Sequence, residues 1–407
     1  MAKKGFGENM KIHTVREGET LSEIAKEYGI DEDILRVNNE IREGECVAGE
    51  ELLILTPTRT YTVKPGDSTE RLALRFGVRR RDLLSMNPWI CTEGLIPHKK
   101  VALSYGERRF GMAAAHGYFY NNCTLEALSR RLPYLTYVTV GSAVYEDDKI
   151  KRLFDCRDAV GVIRSADKIP LLRVYDREPY RKGGCAECEK FSESIISAAL
   201  AGGYKGITLA GCFSEEYLVE LRGKMIGCDL ILFTELDKSS PFYLGEYSDG
   251  SVICYDIYPA QTYEAGSEYE FYKKFACDAE SSKAFIELPA FASVEGGVIG
   301  RDEAVSMARY SSCEIKPVGE SSLCAFTHKK RGKVTLPSLK SVKSTLDIIH
   351  EYGYMGISFD IMRCPLSYLM MYNSHFGTST FTTVREVEGC SKARGERSTS
   401  MPGTSEK

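Results

Sequence analysis

The sequence predicts an α/β chain in which two small α+β modules of βααβ order precede a (β/α)8 barrel. Two observations carry this: an internal repeat with an offset of 48 residues near the N-terminus, and eight short apolar runs alternating with helical patterns between 108 and 380. A length of 407 residues allows two or three domains, and 43% hydrophobic with 27% charged residues is the balance of an ordinary globular protein. The net charge of -4 offers no general attraction to nucleic acid or anionic lipid, so no nucleic-acid partner is expected.

The repeat comes first. His13-Thr14-Val15-Arg16-Glu17-Gly18-Glu19-Thr20 recurs as Tyr61-Thr62-Val63-Lys64-Pro65-Gly66-Asp67-Ser68, and the same register links Tyr28-Gly29-Ile30 to Phe76-Gly77-Val78, Leu35 to Leu83 and Asn39 to Asn87. Each copy reads as a short strand, a turn that Gly18 or Gly66 permits, and a helix capped by Thr20 or Ser68. Leu21, Ile24, Ala25 and Tyr28 recur at helical spacing and form one apolar face. A second short helix carries Ile34, Leu35 and Val37, and Leu52–Ile54 or Val101–Leu103 closes the unit as a strand. The modules span 11–56 and 59–104.

From 108 to 380 the candidate strands are Phe110–Ala115, Tyr134–Val140, Pro170–Tyr175, Gly206–Cys212, Leu230–Leu236, Val252–Asp256, Ala284–Pro289 and Gly356–Ile361. Helical stretches separate several, such as Glu189–Ala201 and Ser341–Tyr352. Eight runs in this length match a (β/α)8, or TIM, barrel. An open doubly wound sheet is the rival, but no Gly-rich phosphate turn follows the first strand. The polar stretch 381–407 is expected to be a disordered tail.

The repeat resembles the LysM module, which binds N-acetylglucosamine polymers such as peptidoglycan and chitin. The resemblance implies a shallow sugar groove built here by Gly18, Glu19 and Thr20 with Asn39 to Arg42, and by Gly66, Asp67 and Ser68 with Asn87 to Ile90. Copy two carries Thr69 where a leucine is usual, which predicts a looser core. Trp89, the single tryptophan, is placed either to stack on a sugar or to pack inside the module.

The barrel resembles family-18 glycoside hydrolases, and among them LysM-bearing spore cortex-lytic proteins. Gly117-Tyr118-Phe119-Tyr120, Leu132-Pro133-Tyr134-Leu135-Thr136-Tyr137-Val138, Ile253-Cys254-Tyr255-Asp256 and Glu351–Phe359 carry the likeness. That family's hydrolysis is substrate-assisted: the sugar's acetamido oxygen attacks, a glutamic acid ending strand four protonates the leaving oxygen, and an aspartate two residues earlier orients the acetamido group. Residue by residue, Cys212 stands in the acid's position and Ala210 in the aspartate's, while Tyr255 and Asp256 match the sixth-strand sugar-holding pair. A thiol is too short to reach the glycosidic oxygen, and alanine offers nothing polar. Glu215 and Glu216, just past Cys212, are the candidate substitute acids; Glu235 ending strand five and Glu287 on strand seven stand beside them, and each of the four also reads as a solvated loop charge or a barrel-mouth salt-bridge partner.

The 14 cysteines scatter without a compact framework, which reads as reduced thiols. Cys185 and Cys188 form the one close pair, with no second pair at zinc-finger spacing, so two loop thiols are expected and no metal or other cofactor. The N-terminus lacks the apolar stretch of a secretory signal, and no apolar run is long enough to span a membrane. The expectation is a peptidoglycan- or chitin-binding protein, made in the cytoplasm and associated with the spore, whose barrel has lost catalysis. Two alternatives stay open: an active N-acetylglucosaminidase degrading spore cortex, and a structural coat protein cross-linked through its cysteines.

Overall fold

The computed structural model describes residues 9–41, 46–106, 110–146, 149–176, 184, 186–211, 213–236, 240, 242–254, 267–319 and 322–378. Eight parallel strands close on themselves: Met112–Phe119, Tyr137–Glu146, Ile169–Asp176, Gly206–Ala210, Ile231–Leu236, Gly250–Ile253, Ala284–Glu287 and Gly356–Asp360, the eighth pairing with the first. Each strand overlaps one of the eight apolar runs. The first lies a little later in the chain than its run, because Gly117 and Tyr118 continue the ladder beside strands two and eight. Alternation along each strand puts every second side chain inside the barrel, where Ala114, Tyr137, Leu171, Phe233, Phe285 and Met355 form an apolar plug.

The two modules have the expected βααβ order. Met10–Thr14 pairs with Glu51–Leu55, and Arg59–Thr62 with Lys100–Ser104, each pair antiparallel. Gly18 and Gly66 take φ values of 73° and 85°, the left-handed turn that favours glycine. Thr20 caps helix Leu21–Tyr28 in a full capping box with Glu23, and Ser68 caps Thr69–Phe76. The second module adds a turn of helix, Ile90–Glu93.

One subdomain has no counterpart in the sequence reading. Between strands seven and eight, five antiparallel strands from Phe291 to Pro337 pack on helix Arg301–Tyr310. Its core of Ala292, Ala304, Phe326, Val334 and Leu336 also takes in Val47 of the first module. Gly49, with φ 80°, lies so close to the Ile315 carbonyl that a side chain there would collide with it.

The modules dock on the barrel rather than hanging from it. Leu53, Leu55, Met86, Ala102 and Tyr105 belong to the same apolar core as the barrel helices. Glu40 and Glu51 of the first module reach the N-termini of two barrel helices: Glu40 Oε2 accepts from Leu366 N–H at 2.7 Å, and Glu51 Oε2 from Leu339 N–H at 2.6 Å. Carboxylates there meet unsatisfied amides and the positive end of the helix dipole. Glu40 also pairs with buried Arg131, and Glu50 with Arg309. The second module docks differently: Arg81 donates to the Pro133 and Leu135 carbonyls, and the Tyr134 hydroxyl donates to the Ser85 carbonyl.

Candidate functional site

In the modules, the side chains expected to meet sugar are mostly engaged in building the fold. Glu19 accepts from Arg16 N–H at 2.8 Å and lies 2.8 Å from His13 Nε2; Asp67 repeats this with Lys64 N–H at 2.7 Å and the Tyr61 hydroxyl at 2.9 Å. The Lys64 amide, followed by the Tyr61 hydroxyl, holds the Asp67 carboxyl below its ordinary pKa. Asn39 donates to the Leu35 and Leu53 carbonyls and accepts from Leu53 N–H, and Asn87 does the same with Leu83 and Ala102. Each asparagine thus ties the end of a helix to the closing strand. Trp89 is 6% exposed inside the second module's core, and the Lys99 ammonium lies 4.1 Å from its ring centroid. Of its two sequence readings, the packing one describes its position. Thr20 and Ser68 are helix caps.

At the barrel mouth, alternation directs Tyr118, Arg173, Ala210, Glu235, Glu287 and Asp360 inward. Strand four ends at Ala210, and Cys212, Tyr255 and Asp256 lie outside the described residues. Arg173 on strand three and Glu235 on strand five form a bidentate pair, 2.7 Å at both contacts. Since Arg173 is level with Thr208, and Thr234 with Leu209, this pair spans strand four beside Ala210. The small residues of strand four leave room for it. Mutual attraction with Glu235 raises the Arg173 pKa against the effect of burial.

Glu287 is the unusual carboxyl of the mouth. Burial, with Glu235 and Asp360 nearby, pushes its pKa up to about 8, and its Oε2 has no hydrogen-bond partner among the described residues. It is protonated at neutral pH. Tyr118 and Tyr120 stack beside the mouth, their ring centroids 5.5 Å apart. Asp360 accepts from Met362 and Arg363 N–H. Below, a buried chain crosses the barrel from Ser358 through His116 and Thr139 to Thr208, at 2.7 to 2.8 Å per step. Burial lowers the His116 pKa to about 3, so its imidazole is neutral.

Glu215 and Glu216 are exposed in the first turn of helix Glu215–Ile226, capped by Ser214, a placement the helix dipole favours. Cys188 is buried on helix Ala186–Ala201 rather than in a loop, and its neighbour Cys185 lies outside the described residues. The described cysteines are free thiols. Among the described residues no cluster of His, Cys, Asp and Glu forms a metal site, and no helix is long and apolar enough to cross a membrane. The sequence offers Glu287 as one of four carboxyls that could substitute for the acid, but an acid at an inward position of a buried strand is indistinguishable there from a salt-bridge partner.

The N-terminal modules are LysM domains: the family model of that description matches residues 13–54 and 61–101. The chain thus joins two LysM domains to a closed parallel barrel. Among curated relatives, the membrane-bound lytic murein transglycosylase D of Escherichia coli K12 is 32% identical over 106 residues, 23% of each chain. The chain therefore spans under a quarter of that relative's length. Among solved structures, the spore cortex-lytic enzyme SleL of Bacillus megaterium QM B1551 superposes with a TM-score of 0.70 at 16% identity, covering 92% of this chain and all of that one. SleL of Bacillus cereus gives 0.69 at 18%, covering 91% and 99%. At such identities, the shared property is the fold, modules and barrel together.

Proposed function

We propose that this chain is a peptidoglycan-binding protein of the spore whose barrel no longer hydrolyses the glycan. The paired LysM domains, the murein-active relative and the SleL fold support the ligand and the setting. One observation carries the loss of catalysis: strand four ends in Ala210, with the Arg173–Glu235 pair set across it, where the family resemblance requires an acidic pair. A bonded guanidinium cannot protonate a leaving oxygen, and Glu235 is held as its counter-ion. Incubating purified peptidoglycan with the full chain tests this. Co-sedimentation without new reducing ends by mass spectrometry is expected. New N-acetylglucosamine ends would overturn the inactive barrel, and failure to sediment would overturn glycan binding.

A second reading, an active N-acetylglucosaminidase, is favoured by Glu287, because an inward carboxylic acid kept protonated at neutral pH is what a general acid requires. It replaces Glu215 and Glu216 as the candidate acid. Under this reading, Glu287→Gln abolishes reducing-end release while Glu215→Gln and Glu216→Gln retain it.

A further inference from the structure

On the face opposite the mouth, the second LysM domain leaves a cavity of about 850 Å3 against the barrel floor. Its module wall is the turn Asp67–Glu70 with Ile90, Gly94 and Leu95; its barrel wall is Pro133, Thr136 and Ser165–Lys168, the segments leading into strands two and three. A volume of this order suits a small ligand of two or three sugar rings. Apolar side chains such as Leu84, Leu95, Leu132 and Pro133 offer surfaces for pyranose faces and acetyl methyls, and Ser68 and Thr69 place hydroxyls on the turn.

The charge of this cavity is uneven. Glu70 is paired with Arg80 at 2.8 Å, and Asp67 is bonded to its own turn. Arg81 lines the wall with its guanidinium bonded to the Pro133 and Leu135 carbonyls. Lys168 has no ion pair or hydrogen-bond partner for its ammonium among the described residues. Burial first, then repulsion from Arg81, lowers its pKa to about 7, and the attraction of neighbouring Asp167 is weaker than either. A half-buried ammonium left without a partner favours an anion.

We propose that this cavity is a composite subsite for an acidic glycan, in which Lys168 takes the carboxylate of a muramic-acid-type sugar while the Asp67–Glu70 turn holds the adjoining N-acetylated sugar. The assignment rests on the glycan-binding reading above and makes the barrel floor a specificity element: the barrel contributes charge recognition that a LysM turn alone lacks.

Calorimetric titration of the full chain at pH 6 compares two probes: chitotetraose, which is neutral, and the peptide-free N-acetylglucosamine–N-acetylmuramic acid tetrasaccharide, which carries carboxylates. The expected result is a roughly tenfold preference for the acidic sugar, about one charge-assisted hydrogen bond. Lys168→Gln removes that preference and leaves chitotetraose binding intact; Lys168→Arg keeps it. Raising the pH to 8 narrows the preference in the native chain, as Lys168 loses its proton. Equal affinity for the two sugars, or a preference that survives Lys168→Gln, overturns the subsite alone. Failure of the native chain to bind either sugar overturns the glycan-binding reading as well.

Discussion

In the first LysM domain Leu21 is buried and Ile41 closes the core; at the equivalent positions of the second, Thr69 is half-exposed and Trp89 takes the place of Ile41. The looser core expected from Thr69 is offset, because an indole buries more apolar surface than the isoleucine it replaces. The exchange also changes what the turn faces. Leu21 points into its own module, whereas Thr69 lines the cavity against the barrel floor. Two copies of one motif have thus been specialised, one docking through Glu40, Glu50 and Glu51, the other leaving a cavity beside Arg81 and Lys168.

The largest effect should come from the residue that carries the compensation. Trp89→Ala is expected to cost about 3–5 kcal/mol in urea unfolding, and Ile41→Ala about 2–3 kcal/mol. If the two cost the same, Trp89 is not making good the missing leucine. Next come the asparagines. Asn87→Ala removes the side-chain hydrogen bonds to the Ala102 amide and to two carbonyls in a buried setting, so a loss of about 2–4 kcal/mol is expected. Asn39→Ala, at a half-buried position, should cost about 1 kcal/mol less.

The modules and the mouth also differ in how they hold carboxyls. Asp67 is kept charged, whereas Glu287 is kept protonated. Because the Glu287 pKa is raised from 4.5 to about 8, the folded chain binds more protons than the unfolded chain between those values. Its contribution to stability is complete below about pH 4.5 and declines as pH rises to about 8, with a slope approaching 1.4 kcal/mol per pH unit. Glu287→Gln should remove that part of the slope in urea titrations across pH; a native and variant pair with parallel profiles would refute the neutral acid. The smallest stability effect belongs to Thr69→Leu. Facing the cavity rather than the core, it should change stability by about 0.5 kcal/mol or less, yet weaken binding of the acidic tetrasaccharide by filling the subsite. A large stabilisation would show instead that the second core has room to spare.

Much was legible along the chain because local chemistry carries it. The 48-residue repeat, the turn glycines, the caps at Thr20 and Ser68, and the eight apolar runs each follow from short-range sterics or from alternation, and all correspond to elements of the structure. The alignment of Ala210 and Cys212 with an acidic pair is what the family resemblance implies by position, and of the two only Ala210 lies among the described residues. Other features depend on residues far apart in sequence. Trp89 could be read as binding or packing until its neighbours were in place. The antiparallel subdomain at 291–337 was missed because its short, mixed strands acquire an apolar face only against helix Arg301–Tyr310 and Val47. The docking carboxylates, the Arg173–Glu235 pair across 62 residues, the neutral Glu287 and a Lys168 without a partner among the described residues were decided by the tertiary structure alone. Charge, protonation and access depend on which groups share a low-dielectric space, and only closing the barrel and seating the modules on it brings those groups together.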